Sequence, residues 1–408
     1  MASLATDLQI PKVPLIVDQQ RSDRHALLRE IAKESWLART DIGYSVLTYE
    51  SVMGILRDKR WHSATGMVAQ LQGITDEAFL GRRQVSILNA EGEVHVRLRR
   101  LVAPAFSPRS ADRLRPFMRE TVNSLLDPFA ASGKAEVVGD ICEPYPIPII
   151  CELLGAPKED WKLFSRLASE ILLIFSDNLA QNMPVFLNAQ QELEKYTEGL
   201  IEKRRSVPAD DLITDLIAAE EAGDKLNTEE LTMMVDAVIV GGTDTTRNQL
   251  GLSLALFAEY PEQWALLGKD PSLAQRAVEE VLRFSGAVGG TIRFASEDIE
   301  YNGVLFPKGT IISPALGVNN YDDLAFENAS EFILDRKGTK GNTLSYGGGI
   351  HYCLGASLAR AQMQECIKVV AKRMPDYKIT GEVLYKEAYE SVVGPRSIPI
   401  TFTPSIKI

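Results

Sequence analysis

The segment from Ser345 to Arg360 constrains this chain more than any other, and it reads Ser-Tyr-Gly-Gly-Gly-Ile-His-Tyr-Cys-Leu-Gly-Ala-Ser-Leu-Ala-Arg. Its three successive glycines are unfavourable in a helix or a strand, and they allow the backbone to turn tightly and to approach another group closely. Cys353 follows them, and a strong helical pattern begins at Gly355. Backbone N–H groups and the helix dipole favour a thiolate at a helix N-terminus, so the segment predicts a site for an anionic sulfur. His351 lies beside it as a cationic or hydrogen-bonding partner.

The residues alone leave three interpretations of Cys353 open. In the first, it is an inert, buried thiol beside a turn, which is the usual state of a lone cysteine. In the second, it is a nucleophile that His351 assists. In the third, it is the axial thiolate ligand of a haem iron.

Composition favours a soluble globular protein and argues against nucleic-acid-binding, disulfide-rich and zinc-binding classes. The chain has 408 residues, of which 45% are hydrophobic and 24% are charged, as in an ordinary soluble globular protein. Length alone favours two domains. The formal net charge of −11 argues against a nucleic-acid partner. Four cysteines without a Cys-x-x-Cys pair, and four histidines, predict neither a disulfide scaffold nor a zinc site, and they fit a reducing compartment.

The sequence also predicts a cytoplasmic location. The first residues, Met-Ala-Ser-Leu-Ala-Thr-Asp-Leu, lack a basic stretch followed by an apolar run, so we expect no signal peptide. No run of about 18 apolar residues occurs, so we expect no membrane span.

The longest helical pattern extends from Asn227 to Glu259. Asn227 can cap this helix with Glu230 at the third helical position, and Pro261 ends it. About 33 residues at 1.5 Å each predict a helix of roughly 50 Å, which is long enough to cross the molecule.

The middle of this predicted helix is locally unfavourable, because each glycine of the pair at 241–242 costs about 1 kcal/mol relative to alanine. Ala237, Gly241 and Thr245 are four residues apart and share one face. These small residues let a flat cofactor lie close to the helix, and Thr245 beside Asp244 supplies a hydroxyl and a carboxylate for proton delivery. Alternatively, the small residues serve a close crossing with another helix.

Two weaker patterns lie on other predicted helices. His95 and Arg99 are four residues apart and face one side of a helix, which alone is typical of a solvated basic face. Glu280 and Arg283 can form an ion pair on one face of a helix at 275–284, and this spacing is common on surface helices.

Together, and in their order along the chain, the four segments resemble the cytochrome P450 family. The glycine-rich segment matches the family's haem-binding loop, Phe-Gly-x-Gly-x-His-x-Cys-x-Gly, except that Tyr346 replaces the phenylalanine. The pentapeptide from Gly241 to Thr245 matches the oxygen-activation motif, Ala/Gly-Gly-x-Asp/Glu-Thr, at every position. The two weaker patterns match the propionate-binding His-x-x-x-Arg and the structural Glu-x-x-Arg of the family.

The chain departs from the family pattern in three places. Glu91-Gly-Glu-Val precedes His95 where the family has Pro-Pro-Glu. After the Glu-x-x-Arg motif, Gly286-Ala-Val replaces Pro-Pro-Val, and further on Asn320-Tyr-Asp-Asp lacks the Arg and the Pro of Asn-Arg-Asp-Pro. The first two departures affect the turn before the His95 helix and one wall of the substrate pocket.

The resemblance implies a mainly α-helical protein with a smaller β-rich lobe, in which residues 1–408 form a single domain around a buried haem b. The β-rich lobe is expected at about 36–60, 295–315 and 377–408, and the helical lobe at 90–285 and 318–375. The haem is expected between the long helix and the Cys353 loop.

The resemblance also implies roles for individual residues. Asp244 and Thr245 are expected to deliver protons, and Cys353 to bind the iron. The expected haem-binding residues are His95, Arg99, Arg293, Tyr346, Gly347, His351, Cys353 and Gly355. The expected substrate-pocket residues are Ala237, Val240, Gly241, Val288 and Val393. The expected structural ion pair is Glu280 with Arg283, joined by a later arginine, Arg336.

The function implied by the resemblance is a haem-thiolate monooxygenase that inserts one oxygen atom from O2 into an apolar small molecule. Its electrons are expected from NAD(P)H through a separate ferredoxin or flavodoxin, for which Arg97 and Arg100 are docking candidates. Segments 61–88 and 171–187 are expected to cover the substrate channel, and 391–393 to reach the substrate. The alternatives are a peroxide-driven haem-thiolate peroxygenase and a haem protein that binds ligands without catalysis.

Overall fold

Helices dominate the chain in the computed structural model. The structure describes residues 2–13, 21–67, 70, 73–75, 77, 80–81, 86–176, 179–221, 226–337, 339–386 and 392–404. The α-helices with described bounds are α1 (Arg21–Ala32), α2 (Tyr49–Arg57), α3 (Gly92–Val102), α4 (Pro108–Leu126), α5 (Pro146–Leu154), α6 (Trp161–Leu172), α7 (Leu179–Ser206), α8 (Leu212–Glu221), α9 (Thr228–Glu259), α10 (Pro261–Lys269), α11 (Ala274–Phe284), α12 (Leu316–Asn319) and α13 (Ala356–Arg373).

The strands are short and form several small sheets. They are β1 (Ser3–Leu4), β2 (Leu37–Arg39), β3 (Tyr44–Val46), β4 (Trp61–Ser63), β5 (Lys134–Glu136), β6 (Arg293–Ala295), β7 (Ile299–Tyr301), β8 (Val304–Phe306), β9 (Ile311–Pro314), β10 (Lys378–Ile379), β11 (Leu384–Tyr385), β12 (Pro395–Ser397) and β13 (Pro399–Thr401). The largest sheet has the strand order β2-β3-β9-β6-β4. Others have the orders β1-β8-β7, β10-β13-β5 and β11-β12.

Helix α9 confirms the predicted long helix. The Asn227 side chain accepts a hydrogen bond from the Glu230 backbone N–H at 2.8 Å, and the Glu230 carboxylate accepts one from the Asn227 N–H at 3.0 Å. Both halves of a capping box are therefore present. Every residue from Asn248 to Phe257 is buried, so the core surrounds the C-terminal part of α9 on all sides.

The core divides between the helices and the β-rich part. The larger apolar cluster is contributed mainly by the helices from α3 to α13. A second cluster lies in the β-rich part, where Phe306 packs edge-on against Trp36, Tyr44 and Trp61. The fold is thus mainly α-helical with a smaller β-rich lobe, as the sequence predicts.

The strands near the C-terminus do not lie in the β-rich lobe, although the sequence predicts that residues 377–408 belong to it. Instead, β10 and β13 form a sheet with β5, within the helical part. Ile398, Ile400 and Phe402 are buried in the larger, helical cluster. Alternate apolar residues of this segment face the helical core, and their burial there decides where the segment packs. Residues 387–391 and 405–408 lie outside the described residues.

The segment at 61–88 begins with a strand that the sequence did not predict. Strand β4 pairs antiparallel with β6 in the five-stranded sheet. Residues 68–69, 71–72, 76, 78–79 and 82–85 of this expected channel cover lie outside the described residues. Among the described helices, none combines the length and the low charge that crossing a bilayer requires.

Candidate functional site

The glycine-rich loop ahead of α13 packs closely against α2. Gly347 and Gly349 have φ angles of +69° and +66°, which glycine adopts without strain. A Cβ at Gly349 would overlap the carbonyl oxygen of Leu56, and one at Gly348 would lie 3.3 Å from the Leu56 side chain. The close approach that the glycines allow is therefore an approach to Leu56, and it fixes the loop that carries Cys353.

Cys353 lies three residues before α13, as the sequence predicts. Its backbone N–H donates to the Tyr346 carbonyl oxygen at 2.9 Å. Burial raises the pKa of the Cys353 thiol, while a hydrogen bond from the Gly355 backbone and the charges of Arg99 and Arg360 act in the opposite direction. Yet the residue is exposed, whereas the other three cysteines are buried. Cys353 is thus solvent-accessible, although the surrounding protein partly desolvates its thiol.

Tyr346 and Arg360 form the outer support of this loop. The Arg360 guanidinium lies 4.4 Å from the centroid of the Tyr346 ring, and it also binds Glu279 at 2.5 Å and the Tyr352 hydroxyl at 2.9 Å. The buried Tyr346 hydroxyl has no hydrogen-bond partner among the described residues. Burial raises the pKa of this hydroxyl, so it stays protonated.

The adjacent glycines in the middle of α9 face different surroundings. A Cβ at Gly242 would overlap Cδ1 of Ile150 in α5, so this glycine permits a close helix crossing. Gly241 is exposed, and a Cβ there would meet nothing within 4 Å. The Thr245 hydroxyl, one turn later, donates to the Gly241 carbonyl oxygen at 3.0 Å. Gly242 therefore serves a helix crossing, whereas Gly241 leaves a bare face on α9, and the contact of this face with a cofactor stays a prediction.

Asp244 has polar surroundings of its own. It forms ion pairs with Arg247 and with Lys386, the latter at 3.4 Å, and it accepts a hydrogen bond from Asn248 at 3.0 Å. Together with Glu143 it lines a cleft of about 360 Å³. The carboxylate is therefore bound by cations beside this cleft, whereas the Thr245 hydroxyl lies on the face with the bare Gly241.

Cationic and hydrogen-bonding side chains meet near the start of α3. The His95 and His351 rings are 4.6 Å apart, and the Arg99 guanidinium donates to the Tyr352 carbonyl oxygen at 2.7 Å. Buried Arg293 donates to the Thr291 hydroxyl at 2.9 Å. His95 is 2% exposed, and its Nε2 has no hydrogen-bond partner among the described residues.

The charge states in this group follow from burial. Desolvation, with smaller effects of His351 and Arg99, lowers the pKa of His95 to about 4, so His95 is neutral near pH 7. Burial also lowers the pKa of Arg293. The buried Arg293 guanidinium is costly to keep in this place without an anionic partner, which is a reason to expect one.

Glu91 is a member of this group that the sequence analysis missed. Its carboxylate accepts hydrogen bonds from the Ser63 backbone N–H at 2.6 Å and from His351 Nε2 at 2.9 Å. Burial raises the pKa of Glu91, but these two hydrogen bonds together with the charges of His351 and His62 outweigh it, and the net pKa is lowered. The departure from the family pattern just before α3 was the only sequence signal at this position.

These residues fit a haem. A flat cofactor needs a bare wall, which the Gly241 face provides, and its iron needs an accessible ligand, which Cys353 provides. Its carboxylates need donors, and the unpartnered His95 Nε2 lies among Arg99, Arg293 and His351. The donor set therefore matches an anionic, iron-containing macrocycle.

The predicted ion pair on α11 is present and buried. Arg283 binds the Glu280 carboxylate at 2.7 and 2.8 Å, and Arg336 binds the same carboxylate at 2.9 and 3.0 Å. Arg283 also donates to the carbonyl oxygens of Asn320 and Ala329. The group fixes the chain ahead of the Cys353 loop to α11.

The residues expected in the substrate pocket are spread over three elements. Ala237, Val240 and Val288 are half-buried, and so is Val393, whose backbone N–H donates to the Ala287 carbonyl oxygen at 3.0 Å. Ser391, which was expected near Val393, lies outside the described residues.

The expected channel cover at 171–187 is partly core. Ile174 and Phe186 are buried together in a small apolar cluster, while Val185 and Leu187 are exposed. Residues 177–178 lie outside the described residues. Leu172 and Leu173 line the cleft beside Asp244, and contact of this segment with substrate stays a prediction.

One docking candidate is already paired within the protein. The Arg97 guanidinium binds the Glu230 carboxylate at 2.5 and 3.0 Å, and only 28% of its side chain is exposed. Helical periodicity placed Arg97 on a different face from His95, but it gave no sign of a carboxylate contributed by α9. Arg100 is exposed.

Comparison with known proteins identifies close relatives. The family model described as "Cytochrome P450" matches residues 67–267 and 269–372. Luteothin monooxygenase from Streptomyces thioluteus is 35% identical over 378 residues, which are 91% of this chain and 91% of that protein. Nocardicin C N-oxygenase from Nocardia uniformis subsp. tsuyamanensis is 34% identical over 82% of each chain. The structure of P450BioI in complex with hexadec-9Z-enoic acid ligated acyl carrier protein has a TM-score of 0.86 at 28% identity, and covers 93% of this chain and 99% of that one.

Proposed function

Because the chain belongs to the cytochrome P450 family and is a haem-thiolate monooxygenase with haem b as its cofactor, we propose that Cys353 is the axial ligand. The observation that carries this proposal is the exposure of Cys353 in the loop before α13, while the other three cysteines are buried. A hydrogen bond from the Gly355 backbone and the nearby Arg99 and Arg360 stabilise negative charge on the sulfur.

We propose that His95, Arg99, Arg293 and His351 hold the haem carboxylates. The partnerless Nε2 of His95 and the guanidinium of Arg293, which is 6% exposed, support this role. When bound, the haem supplies the iron that activates O2 for transfer of one oxygen atom to the substrate. Tyr346, Gly347 and Gly355 belong to the loop that carries Cys353, and their proposed contribution is to hold this cysteine in position.

We propose that Thr245 and Asp244 move protons into the site. The Thr245 hydroxyl donates to the Gly241 carbonyl oxygen on the bare face of α9, so it is held where a proton is needed. Asp244 borders the polar cleft, where it forms ion pairs with Arg247 and Lys386. Its position next to Thr245 in α9, between the cleft and the Gly241 side of the helix, supports a role of the pair in proton delivery.

The substrate class and the electron donor belong to the same proposal. The chain acts on a small molecule with O2, and we propose that this molecule is apolar, since Ala237, Val240, Val288 and Val393 offer no charge. We propose that a ferredoxin or flavodoxin delivers electrons from NAD(P)H and docks near exposed Arg100.

We also propose that residues 1–408 form one domain that works in the reducing cytoplasm, in keeping with four free cysteines.

The absorbance spectrum of the reduced protein under carbon monoxide tests the axial ligand. Wild type should show the strongly red-shifted Soret band of a thiolate-ligated haem. Cys353→Ala should lose this band, while Cys366→Ala, which removes a buried sulfur, should keep it. A red-shifted band that persists in Cys353→Ala, or a purified wild type without haem, would refute the assignment.

The monooxygenase relatives leave the peroxide-driven and non-catalytic alternatives without support.

A further inference from the structure

Helix α3 carries both His95 and Arg99, so its placement decides whether these donors reach the haem carboxylates together. The first turn of this helix has no side-chain cap. Gly92 has a φ of +58°, and the Glu91 side chain makes no capping bond to α3, because it binds Ser63 and His351 instead. Along the outer side, Val94, Val96 and Arg100 are exposed.

A bidentate ion pair joins the middle of α3 to α9. Arg97 Nη1 donates to Glu230 Oε2 at 3.0 Å, and Nη2 donates to Oε1 at 2.5 Å. The guanidinium is 28% exposed and the carboxylate 9%, so solvent screens the pair only in part. Bidentate pairing also fixes the relative orientation of the two groups, which a single hydrogen bond does not.

Glu230 has a second role in the same contact. Its carboxylate accepts a hydrogen bond from the Asn227 backbone N–H at 3.0 Å, as part of the capping box of α9. The hydrogen bond from Arg97 is the main cause of the lowered pKa of Glu230, with a smaller contribution from the Asn227 backbone. The pair therefore joins α3 to the first turn of the helix whose middle carries Gly241 and Thr245.

We propose that Arg97 and Glu230 are positioning residues that hold α3 at a fixed place relative to α9, so that His95 and Arg99 are pre-organised to bind the haem carboxylates. This inference rests on the proposed roles of His95 and Arg99. Neither Arg97 nor Glu230 needs to touch the haem, because the contact acts through the helix that carries the donors.

Haem release measures this role directly. Arg97→Gln and Glu230→Gln should each speed transfer of haem from the holoenzyme to excess apomyoglobin by about tenfold, the effect of a typical coupling between neighbouring groups. Glutamine at 230 can still cap α9, so Glu230→Gln separates the ion pair from the cap. Arg97→Lys should give an intermediate rate. Arg100→Gln removes the same charge from the same helix and should leave the rate unchanged.

Combining Arg97→Gln with substitutions of His95 and Arg99 distinguishes a positioning role of Arg97 from a general effect on stability. If Arg97 acts through His95 and Arg99, Arg97→Gln should add little to haem release in a His95→Ala/Arg99→Ala background. An equal acceleration in that background, or no acceleration in wild type, would overturn the inference. If His95→Ala/Arg99→Ala alone leaves haem release unchanged, the proposed carboxylate site fails, and this inference fails with it. If the donor variants speed release and Arg97→Gln does not, only this inference fails.

Discussion

The adjacent glycines of α9 provide a matched pair of substitutions. Gly241→Ala and Gly242→Ala make the same change inside the same helix, so each gains about 1 kcal/mol of helix propensity. A Cβ at Gly241 meets nothing within 4 Å, whereas one at Gly242 overlaps Cδ1 of Ile150 and lies 2.9 Å from its Cγ1.

Because the gain in propensity is common to both variants, their difference isolates the contact with Ile150. Ile150 is 1% exposed within the larger core cluster, so its side chain has no free space into which to move. Overpacking of this kind costs about 1–3 kcal/mol. We therefore expect the free energy of unfolding of Gly242→Ala to be lower than that of Gly241→Ala by about 1–3 kcal/mol.

Urea unfolding of the two haem-free proteins, followed by far-UV circular dichroism, measures this difference. The absence of Soret absorbance in the same samples confirms that neither carries haem. Equal unfolding midpoints with equal slopes, or a Gly241→Ala protein that is the less stable of the two, would refute the assignment of Gly242 to the helix crossing and of Gly241 to the bare face.

Two further predictions concern Thr245 and His95. Thr245→Ala should retain haem but divert electrons from NAD(P)H to hydrogen peroxide, whereas Thr245→Ser keeps a hydroxyl and should keep more of the coupling; full coupling of NAD(P)H to product in Thr245→Ala would contradict the proton-delivery role. The pKa of His95 is lowered to about 4 in the fold, mainly by burial, against 6.5 ordinarily, so the unfolded chain binds its proton more readily between these values. Stability of the haem-free protein should therefore fall as the pH drops from about 6.5 toward 4, by up to roughly 3 kcal/mol. Urea midpoints against pH test this, and a curve that is equally steep in His95→Gln would assign the loss to other groups.

Local sequence features predicted the elements that carry the site. The capping residues Asn227 and Glu230 marked the start of α9, and Pro261 marked its end. The glycines before Cys353 predicted a tight loop, and the spacing of His95 and Arg99 predicted a shared helix face. In each case the signal lies within a few residues, where helix geometry and turn chemistry act.

Partners contributed by distant segments could not be predicted in the same way. Arg97 lies 133 residues from its partner Glu230, and His351 lies 260 residues from Glu91. The cation Lys386, which binds Asp244, is 142 residues away from it. Such contacts depend on how elements pack, and helical periodicity specifies only the direction in which a side chain points. Strand β5 was missed for the same reason, because its pairing with β13 brings together opposite halves of the chain.

The contact between Gly349 and Leu56 has a consequence for synthesis of the chain. The loop that carries Cys353 is shaped by a helix that lies almost 300 residues earlier in the chain. During synthesis, the early helix therefore exists before the sulfur does, and the loop is fixed only when it docks onto that helix. Iron ligation is therefore expected to follow this docking, and a product truncated before the loop should be unable to hold the cofactor through a thiolate.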